Sequence, residues 1–282
     1  MIRYSSLAVA LAALALPSAV YAQNDGPQAG TVFDGDYLTV GIGGAYGPSY
    51  EGSDDYVVYP VPVVQGNLRG VAITPRPGGI ALDFIPDPQD AKVGFSLGPT
   101  ARLRSERTGH IKDAVVKRLG ELDRAVEVGV NAGVTVYRLF SAYDSLTVSS
   151  DIGWDVAGAH HGRAISPSVS YFTPLSRGVL VNLALSAEHV DDDYADYYFS
   201  VSPTGSAASG LPAFSAEGGW KSAGATILAG FDFNGDFSDG GLAAFALGGY
   251  SRVLGDAKRT PLTSLRGDAD QWLVGGGLAF TF

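Results

Sequence analysis

The sequence predicts an all-β chain: a transmembrane, antiparallel, up-and-down β-barrel of about twelve strands, with ten as the runner-up count. Three observations carry this. Apolar and polar residues alternate with period two in one segment after another, the signature of strands with one apolar face. No amphipathic helix of useful length is present to cover that face, which leaves lipid as the cover. Hydrophobic residues make up 46% of the chain. Yet no stretch after the N-terminus approaches the roughly 20 continuous apolar residues of a membrane helix. A sheet in hydrocarbon has to close, because a free edge leaves backbone N–H and C=O groups without partners. The closing strand of a soluble sandwich is the competing reading of the C-terminal segment.

Arg3, an apolar stretch from Leu7 to Leu16 and the small-residue end Val20-Tyr-Ala22 form a signal peptide, expected to be removed after Ala22. Residues 23–36 are then a periplasmic N-terminal segment and 37–282 the barrel, a single domain. Cysteine is absent, which excludes disulfides, Cys-ligated metals and a lipidated N-terminal cysteine. The formal net charge of −10 argues against a nucleic-acid partner. The 38 glycines are many for an enzyme but suit strands that bend and pack closely around a barrel.

Residues 125–137 give the cleanest alternation. Val126, Val128, Val130, Ala132, Val134 and Val136 face one way; Glu127, Gly129, Asn131, Gly133 and Thr135 face the other. Residues 146–156 and 179–187 repeat the pattern. Segments 37–46, 56–65, 70–74, 79–85, 92–103, 163–173, 214–233, 242–252 and 271–282 bring the number to twelve, even as a bacterial barrel requires. Segments 70–74 and 79–85 are short, hence the runner-up count. From a periplasmic start, 86–90, 139–144, 174–178 and 234–240 become short turns rich in Pro, Gly, Asp and Ser. Residues 47–55, 104–123, 191–213 and 253–270 become long outer loops, with room for a helical turn or two over 111–119.

The last eleven residues place Trp272, Val274, Gly276, Leu278, Phe280 and Phe282 on one face, with aromatics at both ends. Such a segment resembles the closing strand of bacterial outer-membrane barrels. The resemblance implies that Trp272, Phe280 and Phe282 form the signal read by the barrel-insertion machinery.

Several patterns invite chemistry. Gly41-Ile-Gly43-Gly-Ala-Tyr46 opens like a dinucleotide fingerprint, but Tyr46 stands where a third Gly is needed and no helix follows. His160 and His161 are expected as an exposed loop pair rather than a zinc site, since neighbours on an extended chain point apart. A lipid hydrolase needs Ser, His and an orienting group on one face. Here His189 falls on the lipid-facing phase, while Ser166, Ser168 and Ser170 fall on the opposite one. The acidic run Asp191-Asp-Asp193, with Asp196, is expected as a solvated loop, with calcium or divalent-bridged lipopolysaccharide as the alternative.

Lys92, Arg102, Glu127, Asp151, Asp155 and Glu188 fall on lumen-facing phases with mixed sign. Unpaired charge away from water is costly, so pairing across neighbouring strands is expected. Such pairs would fill the small lumen that twelve strands enclose. No catalytic, cofactor-binding or metal-ligating set emerges.

Four stretches carry a resemblance. They are Tyr50-Glu-Gly-Ser-Asp-Asp-Tyr56 with Pro60-Val-Pro62, Leu119-Gly-Glu-Leu-Asp123 leading to Glu127-Val-Gly129, Tyr194-Ala-Asp-Tyr-Tyr-Phe-Ser-Val-Ser202 with Ser209-Gly-Leu211, and Arg252-Val-Leu-Gly-Asp-Ala257 with Thr260-Pro-Leu262. In this order, over nearly the whole mature chain, they resemble the MipA/OmpV family, the MltA-interacting outer-membrane proteins. Small departures fall at Val253, Thr260 and Leu262. On this reading Tyr50, Gly52, Ser53, Tyr197, Phe199, Ser209, Gly210, Gly255 and Asp256 are family-motif loop residues.

The resemblance implies an outer-membrane barrel with no catalytic activity and no cofactor. It also implies a structural or scaffolding role that brings a lytic transglycosylase and a penicillin-binding protein together during murein growth. Docking would then use Asp87, Asp90, Asp239 and residues 23–36, because the periplasmic turns are short. Outer-membrane lipid and lipopolysaccharide are the expected surroundings. A small porin or transporter, resting on the polar inward face, is the alternative, and a surface antigen or adhesin the second.

Overall fold

The computed structural model describes residues 30–88, 90–109 and 111–282. The signal peptide expected over 1–22, and the 23–36 segment up to residue 29, lie outside the described residues. The strands are β1 (Tyr37–Pro48), β2 (Tyr56–Leu68), β3 (Val71–Arg76), β4 (Gly79–Asp83), β5 (Val93–Arg104) and β6 (Ala125–Tyr137). Then follow β7 (Ser145–Asp155), β8 (Arg163–Ser176), β9 (Val179–Val190), β10 (Gly219–Asp232), β11 (Gly241–Val253) and β12 (Asp270–Thr281). Each runs antiparallel to the next, and β12 pairs with β1, so the sheet closes on itself and leaves no edge.

Alternation sets the orientation of every strand. On β6, Glu127 and Asn131 are buried, whereas Val128 and Val130 are 43% and 47% exposed. Small and polar residues inside with large apolar ones outside is the inversion that a hydrocarbon solvent selects. The seam between β1 and β12 pairs Gly43 with Gly277 and Gly44 with Gly276. A Cβ on Gly277 would stand 2.4 Å from the Ile42 carbonyl oxygen and 2.7 Å from the ring of Phe245, which folds inward over this floor. Glycine is required there by close approach.

Both short segments are strands, so the number is twelve rather than ten. Arg69 and Gly70, at φ 55° and 80°, make the two-residue turn that joins β2 to β3. β10 starts at Gly219 instead of 214, because Phe214 bridges to Val201 outside the barrel wall.

Connections at one end are short, only 177–178 between β8 and β9, while 105–124, 191–218 and 254–269 at the other end are long. By that asymmetry the long loops mark the outer mouth. They fold over it as α1 (Asp192–Phe199), α2 (Pro203–Ser209), α3 (Gly255–Arg259), α4 (Pro261–Ser264) and a 3₁₀ turn at Val116–Leu119. The sequence reading has a helical turn only near that last segment. Helices of four to eight residues are too short to display a hydrophobic period, and packing creates them.

Candidate functional site

Beneath the outer mouth, alternation on β5, β6 and β9 brings Arg102, Arg104, Glu127 and Glu188 into the lumen. Arg104 Nε lies 2.5 Å from Glu127 Oε1, and Arg102 Nη1 lies 3.0 Å from Glu188 Oε1, which also receives Arg104 Nη2. A β-bulge between Trp220 and Ser222 adds one residue to β10 and throws Lys221 inward. Its ammonium sits 2.8 Å from Glu188 Oε2 and also binds Glu51 of the first outer loop. Deeper, Arg76 Nε meets Asp151 Oδ2 at 2.7 Å. The wall therefore carries four paired cations, Arg76, Arg102, Arg104 and Lys221, against three carboxylates, Glu127, Asp151 and Glu188. Glu51, supplied by a loop, is the fourth. Burial pushes its carboxyl above the usual range, and Lys221 opposes that shift.

The loops above pack into a folded cap. Asp191 caps α1, accepting the Tyr194 N–H, and the helix buries Tyr194, Tyr198 and Phe199. Arg104 Cζ and Lys221 Nζ lie 5.1 and 5.6 Å from the Tyr194 ring centroid, so the aromatic helix sits directly on the charge network. Burial raises the hydroxyl pKa values of Tyr194 and Tyr198, and that of Tyr50 to about 12. In the third outer loop, burial of Asp113 opposes ionisation. The Val115 and Val116 N–H groups and Arg266 outweigh it and hold the carboxyl below its usual range.

The residues expected as family-motif loop residues meet in this cap. Tyr50 and Phe199 are buried. Gly52 adopts φ 89°, and a Cβ there would strike Thr263 Oγ1 of α4 at 2.2 Å. Ser53 is fully buried and bridges to Gly267. Tyr197 Oη accepts the Asp123 N–H at 2.9 Å. Ser209 ends α2 and Gly210 closes it at φ 83°. Gly255, at φ 53°, opens α3, and Asp256 accepts the Glu217 N–H and pairs with Arg259.

Several expected residues stand elsewhere. Lys92 is exposed below the periplasmic end of β5, away from the network. Asp155 shares the inward phase, but its carboxylate accepts the N–H groups of Ala157, His160 and His161 at 2.8 to 3.1 Å instead of pairing with a cation. His160 corrects the expectation of an exposed pair. It is 2% exposed under Tyr194, ring centroids 4.8 Å apart, whereas His161 is exposed. Its Nδ1 accepts the Gly162 N–H, which leaves the proton on Nε2, 3.3 Å from Glu127 Oε1.

The acidic run is likewise no open loop. Asp191 and Asp192 bind backbone N–H groups of Arg163, Tyr194 and Gly218. Among the described residues no group of three His, Cys, Asp or Glu is placed to hold a metal ion. The outward ring of His189 packs against Trp220, while Ser166 donates inward to Glu188, so the two do not meet. At the closing strand, Trp272, Phe280 and Phe282 are exposed, the first stacked on Tyr250.

Below the cap the lumen is not filled. Ser186 and Thr226 sit on the inward phase of β9 and β10, yet both are exposed. The arrangement is a barrel whose outer mouth carries paired charge and aromatic packing, with exposed polar side chains in the lumen beneath.

Three solved structures are similar in outline. An outer membrane channel from Pseudomonas putida F1 shares 12% identity, with 92% of this chain and 100% of that one covered at a TM-score of 0.43. A bacterial polysaccharide outer membrane secretin shares 10%, covering 89% and 98%, at 0.34. A Pseudomonas aeruginosa FadL homologue shares 10%, covering 88% and 89%, at 0.31. These similarities are too distant to bear on function, and the closure of the sheet stands on its own pairing. No curated protein matches the chain. The model of one family, described as MltA-interacting protein MipA, matches residues 40–282. An outer-membrane β-barrel with a folded outer cap, the chain belongs to the MipA family.

Proposed function

We propose that the protein is a non-enzymatic element of the outer membrane that scaffolds murein-synthesising and murein-hydrolysing enzymes from its periplasmic side. The observation that carries this reading is the family match over residues 40–282, whose description names an interaction with MltA, the lytic transglycosylase of the scaffold reading. The folded cap over the outer mouth, tied to the wall through Lys221, fits it. Docking falls to the short turns. Asp90 is exposed there, and so are Phe140 and Tyr143 in the β6–β7 turn, at 81% and 73%. Asp87 is committed to Tyr137 Oη, and Asp239 to Asn234. In vivo crosslinking followed by purification tests the reading. Capture of a lytic transglycosylase or a penicillin-binding protein supports it; repeated capture of neither removes it.

A second reading, a conduit for small solutes, is favoured by exposed Ser186 and Thr226 inside the barrel. Planar-bilayer recordings decide between them. Stepwise conductance from the purified wild type supports the conduit, and silence supports the scaffold.

A further inference from the structure

Of the buried polar atoms without a hydrogen-bond partner among the described residues, three belong to residues around one void in the cap: Tyr50 Oη, Tyr198 Oη and Arg107 Nε. Their residues are 3%, 3% and 5% exposed, and they come from three separate places, the first outer loop, α1 and the third outer loop. All three line one small void, together with Glu51, Glu106, Phe199 and Leu262. Its volume, about 10 Å³, admits the centre of a single water-sized particle. Leaving three such groups unsatisfied away from solvent is costly, and native proteins rarely do so.

The chemistry of the lining selects the occupant. Two hydroxyls and a guanidinium N–H supply donors, so the occupant must accept hydrogen bonds. Among the described residues the Arg107 guanidinium has no carboxylate within ion-pair distance, and the Glu106 carboxylate has no cation. Arg107 Nη1 is partly satisfied by the Tyr198 carbonyl oxygen at 3.1 Å, and Glu106 Oε2 by the Glu51 N–H at 2.9 Å. A halide would face two carboxylates, and a metal cation would face the guanidinium. A neutral particle that both accepts and donates suits every wall. We propose that this void is a binding site for one internal water molecule. It accepts hydrogen bonds from Tyr50, Tyr198 and Arg107, donates toward Glu106 or Glu51, and ties the first outer loop, the third outer loop and α1 into one cap.

The test turns on a sign. If the hydroxyls are truly unsatisfied, replacing Tyr by Phe removes a penalty and leaves the cap unchanged or firmer. If each bonds a bound water, the same change loosens the cap. The readout is the rate at which protease cleaves the outer loops of the folded, detergent-purified protein, under conditions where reclosing outpaces cleavage.

Tyr50→Phe and Tyr198→Phe are each expected to speed cleavage about fivefold, as loss of one net hydrogen bond implies. The double variant should fall short of the product of the two, because both changes release the same molecule. A crystal structure of the wild type read for solvent density gives an answer that does not depend on how the variants fold. A peak in hydrogen-bond contact with all three residues supports the site. Phe variants cleaved no faster than wild type would overturn the proposal. So would an anomalous peak in the void after soaking with bromide, which would assign it to an anion.

Discussion

Lys221 Nζ lies 2.8 Å from Glu188 Oε2 on the adjacent strand, and the same ammonium binds Glu51 from the loop above. One cation thus joins wall to cap. Glu188 keeps Arg102 and Arg104 if Lys221 is lost, whereas Glu51 keeps no cation at all. Lys221→Met is therefore expected to destabilise the cap by roughly 3–5 kcal/mol, the cost of stranding a buried charge. Glu51→Gln leaves Lys221 paired with Glu188 and should cost only about 1–3 kcal/mol. Urea titrations of the folded protein in detergent, followed by loop proteolysis, rank the two. Equal costs would mean that the ammonium is not shared.

Adjacent residues on β9 test which face meets lipid. Leu185 points outward and is 63% exposed, while Ser186 points into free space in the lumen. Leu185→Arg should lower stability by about 2–4 kcal/mol if it sits near the bilayer midplane. Ser186→Arg should be tolerated. Folding titrations into lipid vesicles measure both, and a reversed order would invert the barrel.

At the seam, Gly277→Ala places a methyl where only 2.4 Å separates it from a backbone oxygen. A loss of about 1–3 kcal/mol is expected, in line with overpacking elsewhere. Gly35→Ala, with nothing within 4 Å of its Cβ, is the silent control in the same heat-modifiability gel.

Acid should loosen the cap through Asp113. Its carboxyl is depressed in the folded state, so it contributes stability above its unfolded pKa of about 4. That contribution is lost as pH falls through the lower folded value. Protection of the amides of residues 113–119, with the intrinsic pH dependence of exchange divided out, should hold from neutral pH and fall only below about pH 4. Asp113→Asn should flatten the profile. Loss of protection already near pH 6 would point to another group.

How far the sequence reaches depends on the physics at each place. Period-two alternation made the wall legible, down to the inward phase of Arg102, Glu127, Asp151 and Glu188. Arg104 and Arg76 lie just beyond the regular alternation, which runs only to Leu103 and Thr74. Lys221 carries no such signal, since its inward aim comes from a bulge that a regular period conceals. Glu51 and His160 are placed by tertiary packing of the cap, where short helices leave no periodic trace. The loop motifs marked the cap as special without revealing that they converge.

On this reading of the barrel, lipid solvates the outward faces of the strands. Refolding residues 23–282 from denaturant, with and without detergent, checks this through far-ultraviolet circular dichroism and sedimentation. β-Structure with heat-modifiable migration is expected only when detergent or lipid is supplied, and aggregation otherwise. A monodisperse, cooperatively folding species in plain buffer would contradict it.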